Sequence, residues 1–388
     1  MGQRHRTPQA TQSTTEPGSA VPFDRIDCDV HPNFRDGLAD LMPYLSEAWR
    51  RRVGVGSDSA WSSQVTASHF TVPANVLYMN PVGAMRRDTI SDGVHTPASE
   101  PSLVAGQLLD AHGIDRAVLL SGNLLGLGGL PDPDLASALA AAHNRWLAET
   151  WLAADVRYRG VILVAPQDPP QAVAEIERTA SLPGFVQIHI PMIDRLLGDR
   201  HYYPIYEAAS GLGIPISVHP NAIDGIFRTG PGYPGGNPVY YTEWHSGLTS
   251  IFAANLISIV CNGVFERFPQ LRLVMTEGGF AWLPDVMWRL DKDWRGLRDE
   301  IPWLSRPPSE YILEHVRFTT QPFIEPSRRE HISAICDMIH ADRVLMFSTD
   351  YPHWDFDDPV RALASVPKAI LPRVLAGTAA EFYGARLL

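Results

Sequence analysis

The sequence predicts an α/β fold, a closed (β/α)8 TIM barrel with a cap insertion after strand 1 and C-terminal helices. Three observations predict it. Strand-like runs alternate with amphipathic helical stretches, the runs number eight, and metal-ligand-type side chains stand at the ends of several of them. Such alternation implies right-handed βαβ crossovers and a parallel sheet, and eight repeats fit a closed barrel better than the runner-up, an open doubly wound sheet.

The elements follow in order. The first strand runs from Arg25 to His31. About residues 34–100, rich in Ser, Asn, Gly and Pro, separate it from its return helix near Leu103 to His112; a connection that long is expected to cap the site. Strands follow at Arg116 to Gly122, Tyr158 to Ala165, Phe185 to Ile190, Pro215 to Pro220, Leu271 to Gly279, Arg317 to Pro322 and Val344 to Asp350. The stretches Asp134 to Asp155, Gln171 to Ser181, Tyr203 to Leu212, Ser246 to Phe268 and Ser327 to His340 carry apolar residues at helical spacing. Between Ala222 and Tyr241 the run GPGYPGGNP forbids regular structure, so an irregular rim loop is expected there.

Composition bounds the function. With 388 residues, 45% hydrophobic and 19% charged, the chain has the profile of a globular protein able to bury a large core. Residues 1–21 are polar and read as a disordered tail, and residues 22–388 as a single barrel domain. The balance of 32 Lys+Arg against 43 Asp+Glu gives a net charge of -11 with no dense basic run, which argues against nucleic-acid and anionic-membrane partners. No apolar run of about 18 residues is evident, so no membrane span is expected. Three well-separated cysteines, Cys28, Cys261 and Cys336, argue against a disulfide framework and for a reducing, cytoplasmic setting.

Barrel enzymes build their sites at the C-terminal ends of their strands. Asp29 and His31 end the first strand, His219 the fifth, Glu277 the sixth and Asp350 the eighth, so all five meet at one rim. Alternate strand residues share a face, which lets Asp29 and His31 close on one divalent cation and turns Cys28 towards the outer face. Gln187 and His189 alternate on the fourth strand and should line the cavity, joined by Trp244, His245 and Gln321. His353, three residues after Asp350, suits a hydrogen-bonding role at the rim. Arg86 or Arg87 on the cap could clamp a substrate carboxylate.

The DVH run, the His in ISVHP, the stretch GVFERFPQLRLVMTEGGFAWLPDVMWRLD and the closing STDYPHWD resemble the amidohydrolase-related family (amidohydrolase 2), in its group containing aminocarboxymuconate semialdehyde decarboxylase. The resemblance runs from about Phe23 to the C-terminus. It implies that Asp29, His31, His219 and Asp350 hold one catalytic divalent ion. Two positions depart from the family pattern: Asp29 stands where many relatives have His or Glu, and Glu277 where a His is common.

A divalent ion on two imidazoles and two carboxylates would lower the pKa of a bound water towards neutrality. Glu277 is the better candidate base; Asp350 is ligand first and base second, and His219 acts through the metal. Counting charges, a third carboxylate at Glu277 would repel an anionic substrate. The expected reaction is therefore hydrolysis of a small cyclic or aromatic molecule. The alternative is non-oxidative decarboxylation of an aromatic or muconate-type acid, and a silent binding barrel is the minor alternative. Zinc is the nominal ion, with manganese, iron and cobalt also suited to such ligands. A small-molecule substrate is the expected partner, and a homodimer is plausible because relatives often pair.

Overall fold

The computed structural model describes residues 23–53, 85–89, 96–221, 231–234, 236, 238 and 240–388. The N-terminal tail, much of the expected cap and most of the loop after His219 lie outside the described residues. Eight strands form one parallel sheet in sequence order: β1 (Ile26–Val30), β2 (Arg116–Leu119), β3 (Tyr158–Leu163), β4 (Phe185–His189), β5 (Ile216–Val218), β6 (Leu273–Met275), β7 (Val316–Thr319) and β8 (Leu345–Met346). A parallel bridge from Val30 to Tyr351 closes the barrel, helped by Cys28 N–H donating to Phe347 O and His31 N–H to Tyr351 O. Seven of the eight strands fall within one predicted run each, and β7 begins one residue before its run, at Val316.

The helices begin and end where their sequences dictate. Asp132 accepts from Leu135 N–H to start Pro133–Trp146, and Asp168 accepts from Gln171 N–H to start Pro169–Ala180, each with proline in the first turn. Gly213, at φ +63°, ends Tyr203–Leu212 in the left-handed conformation that glycine adopts without strain. The predicted helix from Ser246 to Phe268 divides into Tyr241–Gly247, Thr249–Cys261 and Val264–Arg267. Tyr241–Cys261 together is long and apolar enough to cross a membrane by length and composition, which corrects the expectation that no such run exists. Half of it is buried, and Ile251, Phe252, Leu256 and Ile259 pack into the main core.

Two cores divide the barrel. Ala117, Leu119, Ile162, Ile188, Ile216, Leu273 and Phe318 face outwards and pack against the surrounding helices. Ile26, Cys28, Val118, Val161, Val186, Val274 and Met346 face inwards and meet Ala379, Phe382 and Tyr383 of the C-terminal helix Thr378–Tyr383. That helix plugs the mouth opposite the site, and Arg116 and Arg159 donate to Leu387 O beside it.

Cys28 is thus not on the outer face. The register of β1 against β2 shifts between Asp27 and Val30, and this bulge lets Cys28 and Asp29 break simple alternation. Asp27 stabilises the bulge: its carboxylate accepts from Asp29 N–H (3.2 Å), Thr349 N–H (3.0 Å) and the Thr349 hydroxyl (2.6 Å). Complete burial, only partly offset by the Thr349 hydrogen bonds, pushes the Asp27 carboxyl up to about 7. Asp27→Ala strands those donors and should lower the unfolding free energy by about 2–4 kcal/mol, measured by urea denaturation at pH 7. Asp27→Asn, which keeps one acceptor oxygen, should cost less than half as much.

Candidate metal centre and active site

The end of β1 brings two ligand-type side chains to the rim, and β5 and β8 bring the others. Asp29, His31, His219 and Asp350 are all buried, and one ligand atom from each lies within 4.8 Å of the rest. His31 Nε2 is 2.9 Å from Asp350 Oδ1 and 3.3 Å from Asp29 Oδ1, and His219 Nε2 is 3.5 Å from Asp29 Oδ2. Despite this closeness, both Asp29 oxygens, both Nε2 atoms and Asp350 Oδ2 have no hydrogen-bond partner among the described residues.

The far side of each ring explains why. His31 Nδ1 lies 3.1 Å from Leu120 O and His219 Nδ1 lies 2.5 Å from Pro220 O. A carbonyl only accepts, so these nitrogens carry the protons and both Nε2 atoms turn lone pairs inwards. Lone pairs from two imidazoles and two carboxylates converging at one point call for a cation, and this donor set suits a divalent metal ion.

Electrostatics agree. Burial opposes the charge on Asp29, but His31 and His219 hold it well below the usual carboxylate range. Burial would lower His31 too, yet Asp29 and Asp350 carry it up to about 10; Asp29 and Glu277 likewise raise His219 against its burial. Protons occupy the imidazoles when no metal does.

Glu277 and Asp350 occupy unusual backbone positions. With Ala98 and His340 they are the described non-glycine residues of left-handed φ, at +56° and +60°. Such strain collects at functional sites. Thr319 Oγ1 accepts from Glu277 N–H, and Asp29 O accepts from Asp350 N–H, which holds both turns. His353 Nδ1 meets Asp350 Oδ1 at 2.6 Å. Glu277 Oε2 is 3.0 Å from His219 Nε2, and its Oε1 is 3.5 Å from His245 Nε2. These imidazoles hold Glu277 well below the usual carboxylate range against its burial. Its charge is therefore compensated, which removes the repulsion inferred from counting carboxylates.

The remaining expected site residues divide. His189 is buried within ring contact of His219, and His245 stacks on Tyr241 at 5.3 Å. Trp244 is buried in the core against the same tyrosine, and Gln321 Nε2 donates to Asp355 Oδ2 at 3.0 Å. Gln187 lies lower in the barrel and accepts from the Tyr383 hydroxyl at 2.7 Å, so it does not line the rim. Arg86 is no clamp: Asp88 takes its guanidinium at 2.6 and 3.1 Å, and the group lies over the Phe356 ring. The Arg87 side chain falls outside the described residues.

Sequence reasoning missed Asp355, 3.5 Å from His245, and the Trp354 indole, which donates to Tyr241 OH at 3.0 Å. The run after Asp350, YPHWDFDD, held the signal. Burial and the nearby Asp350 and Glu277 raise Asp355 to about 7.

The protein should bind one divalent ion per chain, measured by calorimetry and elemental analysis, and His219→Ala should abolish stoichiometric binding. Because His31 is raised to about 10 and His219 well above its ordinary value, and both must lose protons to ligate, affinity should climb with pH throughout the range below about 10 and fall steadily as the solution is made more acid.

Comparison with known proteins follows the geometry. The amidohydrolase family's profile matches residues 108–385. Gamma-resorcylate decarboxylase of Rhodococcus jostii (strain RHA1) is 25% identical over 305 residues, covering 73% of this chain and 86% of that one. The 2-amino-3-carboxymuconate-6-semialdehyde decarboxylase of Dictyostelium discoideum is 26% identical over 185 residues, 46% of this chain and 48% of its own. The fold matches 5-carboxyvanillate decarboxylase of Novosphingobium aromaticivorans, solved with manganese and 4-hydroxy-3-methoxy-5-nitrobenzoic acid, at a TM-score of 0.63 and 21% identity over 96% of this chain and 99% of that one. These relatives are decarboxylases, which overturns the hydrolase expected from the sequence; the error was to treat Glu277 as an uncompensated charge. The chain belongs to the amidohydrolase family, and it is an enzyme of that superfamily built on a (β/α)8 barrel.

Proposed function

We propose that this protein is a metal-dependent carboxy-lyase that removes CO2 without oxidation from an aromatic or muconate-type carboxylic acid. The observation that carries the reading is the buried Asp29, His31, His219 and Asp350 cluster, in a chain that aligns over 86% of a decarboxylase's length. Manganese and zinc are the ions we put first, since both suit this donor set and a decarboxylase of the same fold carries manganese.

The reaction breaks the bond between the ring carbon and the carboxylate. The bonding electron pair stays on the ring, a proton joins that carbon, and CO2 departs. Bound by the four residues, the ion supplies positive charge that offsets the substrate's carboxylate. Asp350, at the site's edge, is the group we assign to carry the proton to carbon, and its carboxyl is positioned by His353. Glu277 faces the His245 imidazole at 3.5 Å, which pairs its charge while His219 serves the ion, so the substrate meets no free carboxylate there. Full burial of Asp29 and His31 excludes bulk water, which suits a reaction that consumes no water.

The test is incubation of the metal-loaded protein with a panel of hydroxylated benzoates, lactones and amides, read by mass and CO2 release. Loss of CO2 from a carboxylated ring, with deuterium entering at the vacated carbon in D2O, is expected; products that have only gained water would overturn the reading. His353→Phe should lower kcat by about 10- to 100-fold through loss of its hold on Asp350.

A further inference from the structure

His189 ends β4 in a state that the metal site leaves unexplained. It is fully buried, and its ring stands edge-on to His219 with centroids 6.5 Å apart at 84°. Its Nδ1 faces β5, where Ser217 Oγ lies 3.5 Å away, and the Ser217 hydroxyl spends its own proton on Ile188 O at 3.4 Å, which leaves Oγ to accept from the imidazole. Nδ1 thus carries the proton. Nε2 is buried and has no hydrogen-bond partner among the described residues. The ring is fully buried with no ion pair to a carboxylate among the described residues, so with the proton on Nδ1 the Nε2 atom presents a lone pair. His189 is outside the four-residue group whose ligand atoms lie within 4.8 Å of one another, so that group does not claim this nitrogen.

A buried acceptor without a protein donor is costly unless a ligand brings the donor. Arg86 is occupied by Asp88, Asp29 faces His31 and His219, and Glu277 faces His219 and His245. We propose that His189 Nε2 is a specificity-determining acceptor for a hydroxyl or amino hydrogen on the substrate ring, close to the carbon that loses CO2. The identity of the ring as that of an acid rests on the carboxy-lyase reading; the demand for a donor rests on His189 itself.

The probes are 2-nitroresorcinol and nitrobenzene, in which a nitro group takes the place of the carboxylate and cannot leave as CO2. Calorimetry on the manganese-loaded full chain should show wild type preferring 2-nitroresorcinol by about 10- to 100-fold, the scale of leaving one buried acceptor unpaired. His189→Leu should erase most of that preference while keeping one metal equivalent and the wild-type melting temperature. His189→Gln, whose amide oxygen still accepts, should keep part of it. An unchanged preference in His189→Leu, loss of metal from that variant, or no preference in wild type would each overturn the proposal. Since neither probe can be decarboxylated, the preference is read independently of turnover, and a chain that shows it yet releases no CO2 from the carboxylated benzoates refutes the carboxy-lyase reading alone.

Discussion

Four buried side chains that cannot satisfy one another are the constraint on which the rest of the molecule depends. Asp29 and Asp350 bring negative charge into a space closed to water, and His31 and His219, with Nδ1 held by main-chain carbonyls, turn their Nε2 edges to the same point. Taking such groups out of water is costly without a partner charge. Protons on the imidazoles offer partial compensation, and a divalent cation offers fuller compensation by accepting all four donors. The centre is therefore poised between two occupants, protons and metal.

The barrel supplies the stability that lets such a cluster persist. The outward faces of the strands pack on helices, and the inward faces are filled by Ile26, Val118, Val161 and Val186 and plugged by Phe382 and Tyr383. Above this filled base, the β1 bulge and the left-handed turns at Glu277 and Asp350 aim ligands across the rim. Asp27 couples the two ends of the sheet, because the oxygens that hold the bulge also hold Thr349, next to Asp350. Fold stability and site geometry share those hydrogen bonds.

The sequence made the strands and the four-residue cluster legible, because hydrophobic periodicity sets the strands and every ligand lies at a strand end. It misled where local alternation met a bulge: Cys28 was assigned the outer face, and one inserted residue in β1 reverses that. It misled again where charge depends on neighbours distant in sequence. Glu277 read as a free carboxylate because His245, 32 residues earlier, gives no sign in one dimension that it will face it. Gln187 was obscured for the same reason, since Tyr383 lies 196 positions away, whereas the partner of Arg86, Asp88, is two residues on and only the side-chain geometry shows the pairing.

A crystal of the manganese-loaded protein, with data collected at the manganese absorption edge, tests the central claim most directly. The account predicts one anomalous peak per chain, within coordinating distance of Asp29, His31 Nε2, His219 Nε2 and Asp350. A peak elsewhere, or none at that point while the four side chains keep their positions, would contradict it.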